Sequence, residues 1–179
     1  MGYIRLVYIN LFIYKGVIFQ VDTSAAGQII VLIILLMLSA FFSSAETALT
    51  TANKIKMRSL AEDGNKQAET VLHVTDNSAK MLSAILIGNN IVNLSASALT
   101  TTIAYQLGGA YVALATAIIT VLILIFGEIV PKTIANIHAE PMSLKYAFPI
   151  KLIMILVTPI SIVINAMARV ILFILRIDP

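Results

Sequence analysis

The sequence predicts an all-α membrane protein, and three observations predict it. Of 179 residues, 59% are hydrophobic and only 12% are charged. The mean hydropathy is +0.96. No Asp, Glu, Lys, Arg or His occurs between Met81 and Gly127. A soluble domain is nearer half apolar and a quarter charged. In hydrocarbon every backbone N–H and C=O must be paired within the protein, which an α-helix achieves by itself.

Residues 1–24 read as a peripheral leader. Tyr3 to Phe19 is apolar but interrupted by Arg5 and Lys15, with no small-x-small cleavage site before Asp22. A first span is expected over about Ala25 to Ala52. Its stretch Ile29 to Phe42 is nearly unbroken before Ser43, Ser44, Glu46 and Thr47 bring polarity. At about 1.5 Å per residue such a helix crosses a bilayer core of about 30 Å with length to spare. Asn53 to Lys80 is the soluble-looking stretch, carrying Lys54, Lys56, Arg58, Glu62, Asp63, Lys66, Glu69 and Asp76. Its apolar residues Ile55, Leu60, Ala61, Ala68, Val71 and Leu72 predict an amphipathic helix broken near Asp63-Gly64.

A second span is expected from Met81 to about Tyr105, and a third from Ala110 to Gly127. Gly108-Gly109 marks a tight reversal between them. Residues 25–137 thus form a three-span membrane domain with an amphipathic linker at about 53–80. Residues 138–179 are expected to be juxtamembrane amphipathic helices. Met142 to Ile177 is strongly apolar, but Lys145, Pro149, Lys151, Pro159, Asn165, Arg169 and Arg176 punctuate it. A fourth span over Leu152 to Ala168 would be at about the minimum length. The prolines argue instead for broken helices lying at the interface, with Lys and Arg reaching toward headgroups. Lys54, Lys56, Arg58, Lys66 and Lys80 precede the second span and Lys132 follows the third. By the positive-inside rule that side is cytosolic, with the N-terminus outside and the C-terminus in the cytosol.

Composition also excludes. Basic residues number 12 against 9 acidic, but they sit beside the apolar runs rather than in a stripe with aromatics, so no nucleic-acid partner is expected. There is no cysteine, hence no disulfide, thiolate site or Cys nucleophile. With His73 and His138 the only histidines, a zinc-type site is not expected either. Any metal is left to oxygen.

Three segments offer that oxygen. Glu128 closes the long apolar run in Gly127-Glu128-Ile129-Val130-Pro131-Lys132. A carboxylate beside a bilayer core is costly and marks a functional site unless compensated. Pro131 lacks an N–H, so a count of four back leaves the Gly127 carbonyl without a donor, next to that carboxylate. Against this, Glu128 and Lys132 stand four apart in the favourable order for an ion pair. Asn89, Asn90 and Asn93 cluster in the second span, where they suit either a ligand set or interhelical hydrogen bonding. Ser39, Ser43, Glu46 and Thr50 stripe one face of the first span, with Ser44 adjacent. Glu46 fits a gating or supporting role as well as ligation. Asn90 and Glu128 lie about nineteen residues either side of the Gly pair, which puts them at one depth on antiparallel helices. Ser43 reaches that depth too. An intramembrane enzyme using Ser43 or Ser44 would need a base, and neither histidine lies in a span; no enzyme is expected.

Phe41 to Leu49 (FFSSAETAL), Gly88 to Asn93 (GNNIVN) and Gly127 to Lys132 (GEIVPK), in that order, resemble the transmembrane domain of the CorC/CNNM magnesium transporters. The resemblance covers about Ala25 to the C-terminus. It implies a homodimer in the plasma membrane, each protomer with three membrane helices and cytosolic-side juxtamembrane helices. It also implies Mg2+ export driven by Na+ entry. Carried over residue by residue, its ion site falls on Ser43, Asn90, the Gly127 carbonyl and Glu128, with Ser44, Asn89 and Asn93 as adjuncts. Glu46, Pro131 and Lys132 would gate or support it. Family members normally continue into nucleotide-binding CBS modules. This chain stops at Arg176-Ile177-Asp178-Pro179 without them, as expected of a piece of a longer protein. A membrane scaffold or sensor that binds Mg2+ without moving it is the rival reading.

Overall fold

The computed structural model describes residues 25–106 and 110–174, with side chains through Ile160. The expected leader over 1–24 and the Gly108-Gly109 reversal lie outside the described residues. The described chain is helical throughout. Helix α1 covers Ala25–Thr51, α2 Lys54–Glu62, α3 Lys66–Asp76 and α4 Ser78–Gln106. Helix α5 (Val112–Leu122) runs through a π-helical turn at Ile123–Ile129 into α6 (Val130–Ile137), and α7 covers Ala139–Ile174.

Among the described residues, four helices are long and apolar enough to cross a membrane: Ala26–Thr51, Ser78–Gln106, Val112–Ile137 and Ala139–Ile160. Two of these depart from the sequence expectation. The third candidate does not end at Gly127. It continues past Glu128 and Pro131, because a proline near the start of a helical segment removes only one donor and its fixed φ is already helical. The last region is not broken into short pieces. Helix α7 runs unbroken through Pro149 and Pro159. Each proline frees only the carbonyl four residues earlier, on Lys145 and Ile155, and membrane helices tolerate this where neighbours or side chains compensate.

The α2–α3 hairpin is built from local signals. The Asn53 side chain accepts from the N–H groups of Ile55 and Lys56, and that of Asn65 from Gln67 and Ala68, so each Asn caps its helix. Gly64 turns the chain at φ +86°, a left-handed conformation that suits glycine. The expected amphipathic face is partly redrawn. Met57, Ala68, Val71 and Val74 are buried, whereas Ile55 at the start of α2 is exposed. The buried set joins Ala147, Ile150 and Met154 of α7 with Phe42, Leu49 and Ile85 in one apolar core. Helix α1 is the hub, packing on α4, the π turn, α6 and α7. Its other half exposes Ile29, Ile30, Ile33, Ile34 and Met37, an apolar surface suited to lipid.

Candidate functional site

At Ser39 three helical segments meet. It is 1% exposed, and its hydroxyl donates to Oδ1 of Asn89 on α4 at 3.3 Å. On its other side stands Gly127 of the π turn, where an added Cβ would lie 2.8 Å from the Ser39 Oγ. A Cβ at Gly88 of α4 would lie 2.5 Å from the Phe42 ring. Both glycines therefore permit the approach of backbone to α1 that builds the seam.

On the two helices that Ser39 and Asn89 join, polar atoms go unpartnered. The Ser43 hydroxyl and the Asn93 side-chain oxygen are buried without a hydrogen bond, as is the Gln28 side-chain oxygen nearer the start of α1. Such a group costs about 1–3 kcal/mol when left unpaired. Ser43 lies on the same face as Ser39, four residues on, and Glu46 follows one turn later. Asn89 and Asn93 are half-buried, while Asn90 is exposed on α4. Ser44 is otherwise engaged: it donates to the Phe41 carbonyl at 3.0 Å and to the Tyr146 hydroxyl at 3.3 Å. Tyr146 in turn stacks edge-on against Phe41, with centroids 5.2 Å apart, so this contact docks α7 on α1.

The π turn alters the carbonyl count. Val130 donates to the carbonyl of Ile125, five residues back, whereas His138 donates to Ile134, four back. Returning to the four-residue register strands one carbonyl, and Pro131, having no N–H, strands another. Two carbonyls between Phe126 and Ile134 thus lack a backbone donor from their own helix, and the Thr133 hydroxyl donates to the Ile129 carbonyl at 2.8 Å. In the five-residue register the carbonyl opposite Pro131 is that of Phe126, and in the four-residue register that of Gly127. The expected free carbonyl gains a companion.

Glu128 is paired. The Lys132 ammonium lies 3.1 Å from Glu128 Oε1 and also 3.4 Å from Glu46 Oε2 on α1. All three side chains are between 37% and 43% exposed, so water reaches them. Among the described residues no group of three or more His, Asp or Glu is placed to share a metal ion. A cation here would meet at most these two carboxylates, supplemented by neutral oxygens. Beside Pro131 lies a separate apolar groove of about 360 Å³, lined by Met37, Phe41, Ile134, Met142 and Tyr146 among others. It offers an ion almost nothing.

From sequence the seam was approached through Ser43, Asn90, Gly127 and Glu128, with Ser44, Asn89 and Asn93 as adjuncts; of the amides, Asn89 and Asn93 are half-buried and Asn90 is exposed. Ser39 was visible only as a member of the polar stripe. Tyr146 carried no signal, since α7 was expected at the periphery.

Residues 30–178 match the family described as the cyclin M (CNNM) transmembrane N-terminal domain. The chain belongs to this family. It is similar to the UPF0053 inner membrane protein YfjD of Escherichia coli K12, at 38% identity over 75% of this chain and 32% of that protein. A UPF0053 protein of Haemophilus influenzae is 47% identical over 64% of this chain and 27% of its own length. The polyamine export protein of E. coli K12 is 27% identical over 80% of this chain and 35% of its length. The chain thus spans about a third, or less, of these CNNM relatives. Family membership and the apolar helices make it a multi-pass membrane protein.

Proposed function

We propose that this chain is the membrane part of a magnesium transporter that exports Mg2+ by alternating access, driven by sodium entry. The observation that carries the reading is the unpartnered oxygen in the seam: the Ser43 hydroxyl and Asn93 amide oxygen, beside a π turn with stranded carbonyls. Magnesium takes oxygen at about 2.0–2.1 Å and gives up water reluctantly. One or two carboxylates with neutral dipoles would hold it without trapping it. Of the carried-over ligands Ser43, Asn90, Gly127 and Glu128, this reading keeps Ser43, Gly127 and Glu128. For the amide, Asn89 and Asn93 face the seam and are preferred over Asn90 in a single protomer. Asn90 then belongs to the face available to a second copy in a homodimer.

In this reading α1, α4 and the α5–α6 helix span the plasma membrane. The α2–α3 hairpin and the first turns of α7 lie on the cytosolic side, with the N-terminus outside. The domain moves ions and catalyses no covalent chemistry. The test is Mg2+ flux into liposomes containing only the purified chain, followed with a trapped magnesium dye. Flux that requires a sodium gradient and fails in Glu128→Gln supports the exchanger. Identical flux in Glu128→Gln, Asn89→Ala and Asn90→Ala would remove the site. Mg2+ binding without flux would favour the sensor.

A second reading concerns the cargo. A relative is named a polyamine export protein, and here a primary ammonium, that of Lys132, already sits against two carboxylates. An alkylammonium of a polyamine would meet the same partners. Radiolabelled spermidine in the same liposomes decides between the cargoes.

A further inference from the structure

Lys132 is joined to two helices, and only one of its partners is explained by helix geometry. The contact with Glu128 is an ordinary pair four residues apart, of a kind that contributes little at an exposed position. The contact with Glu46 crosses from α6 to α1 and has no such local cause. The ammonium therefore bridges the two carboxylates, and on the same helix as Glu46, one turn earlier, the Ser43 hydroxyl is buried and unpartnered. A lysine on a flexible four-carbon stem, more than a third exposed, is free to leave that place and return.

The charge balance differs between its two positions. With Lys132 seated, the carboxylate pair keeps one net negative charge, which one monovalent cation neutralises. With Lys132 withdrawn to solvent, the pair carries two, which one divalent cation neutralises. Ser43, Asn89, Asn93 and the stranded carbonyls add no charge and leave the count unchanged. Charge balance still counts here, because at a partly exposed place beside an apolar core an unbalanced unit charge is worth more than in bulk water, though less than in the interior.

We propose that Lys132 is a tethered counter-cation whose position sets the valence of the ion the site accepts: a sodium ion when seated, a magnesium ion when withdrawn. This rests on the magnesium–sodium exchange reading above. It makes Glu46 a direct partner of the transported ion. It also couples occupancy to helix position. The ammonium holds its oxygens at 3.1 and 3.4 Å, whereas magnesium in direct contact requires about 2.0–2.1 Å. Exchanging one for the other without intervening water draws α1 and α6 together at their cytosolic ends.

The test is calorimetric titration of the purified chain with MgCl2 at several NaCl concentrations, for wild type, Lys132→Arg and Lys132→Gln. Wild type and Lys132→Arg should show sodium weakening magnesium binding. Lys132→Gln should bind magnesium about tenfold tighter or more, since the competing charge is gone, and sodium should compete less. A second measurement needs no variant. Acetylation of Lys132 by a water-soluble amine reagent, read by mass spectrometry, should speed up several-fold with MgCl2 and not with NaCl. If Lys132→Gln does not fold, that rate decides alone. Magnesium affinity and sodium competition within twofold of wild type in Lys132→Gln, or a Lys132 indifferent to MgCl2, overturns the proposal while leaving the transport reading intact. A wild-type chain that binds no magnesium overturns both.

Discussion

The α2–α3 hairpin and the seam between α1, α4 and the π turn obey opposite rules. In the hairpin, polar side chains complete the backbone: Asn53 and Asn65 each accept two N–H groups, and Gly64 takes the left-handed turn. In the seam, polar atoms are left open, at Ser43 and Asn93, and the π turn strands carbonyls that a regular helix would pair. The first region spends its polar groups on folding. The second withholds them where an apolar environment makes that costly. Under the proposed function, the contrast assigns stability to one region and ion handling to the other.

The strongest test of that division is Glu128→Gln. Sodium-dependent magnesium flux should fall by at least about tenfold, because the charge difference acts on ion binding, while thermal unfolding in detergent should scarcely move. A large loss of stability with flux retained would break the division. Gly88→Ala should act in the reverse sense. Its new methyl meets the buried Phe42 ring, so destabilisation of about 1–3 kcal/mol is expected from overpacking, read as a lower unfolding temperature. In the hairpin, Asn65→Ala should cost about 1 kcal/mol of stability through the lost cap, with magnesium affinity unchanged. The smallest effect should be that of Lys56→Ala. It removes the partly exposed Lys56–Glu140 ion pair linking α2 to α7, worth under about 1 kcal/mol, with no change in flux.

Asn89 and Asn90 sharpen the comparison further. Asn89→Ala removes the acceptor of the Ser39 hydroxyl and should impair ion binding in a single protomer. Asn90→Ala should spare it and act, if anywhere, on self-association, which analytical ultracentrifugation in detergent reads. Equal loss of magnesium binding in both variants would reassign the amide ligand.

This pair also marks how far sequence reaches. Counting residues from the Gly pair brought the second and third spans to a common depth, and the seam does join Asn89, Ser39 and Gly127. Depth is legible because helical rise is constant per residue. Rotation is not, because one residue turns the helix by about 100° and an all-apolar surround gives no polar face to fix the phase. The choice among neighbouring asparagines therefore fell to packing. Met57 rather than Ile55 is buried in the hairpin for a related reason: the helix is short, and packing on α3 selected its buried face.

By itself the sequence determined a helical membrane protein and the break of the linker helix near Asp63-Gly64. Those features follow from composition and local turn chemistry. Tertiary structure alone decided that α7 runs unbroken through two prolines, since neighbouring helices determine what a proline-freed carbonyl costs. It alone decided the π register before Pro131 and the bridge from Lys132 to Glu46. A lysine four residues from a glutamate announces one partner. Its second partner lies eighty-six positions away in the chain, and only the packing of α6 on α1 brings them together.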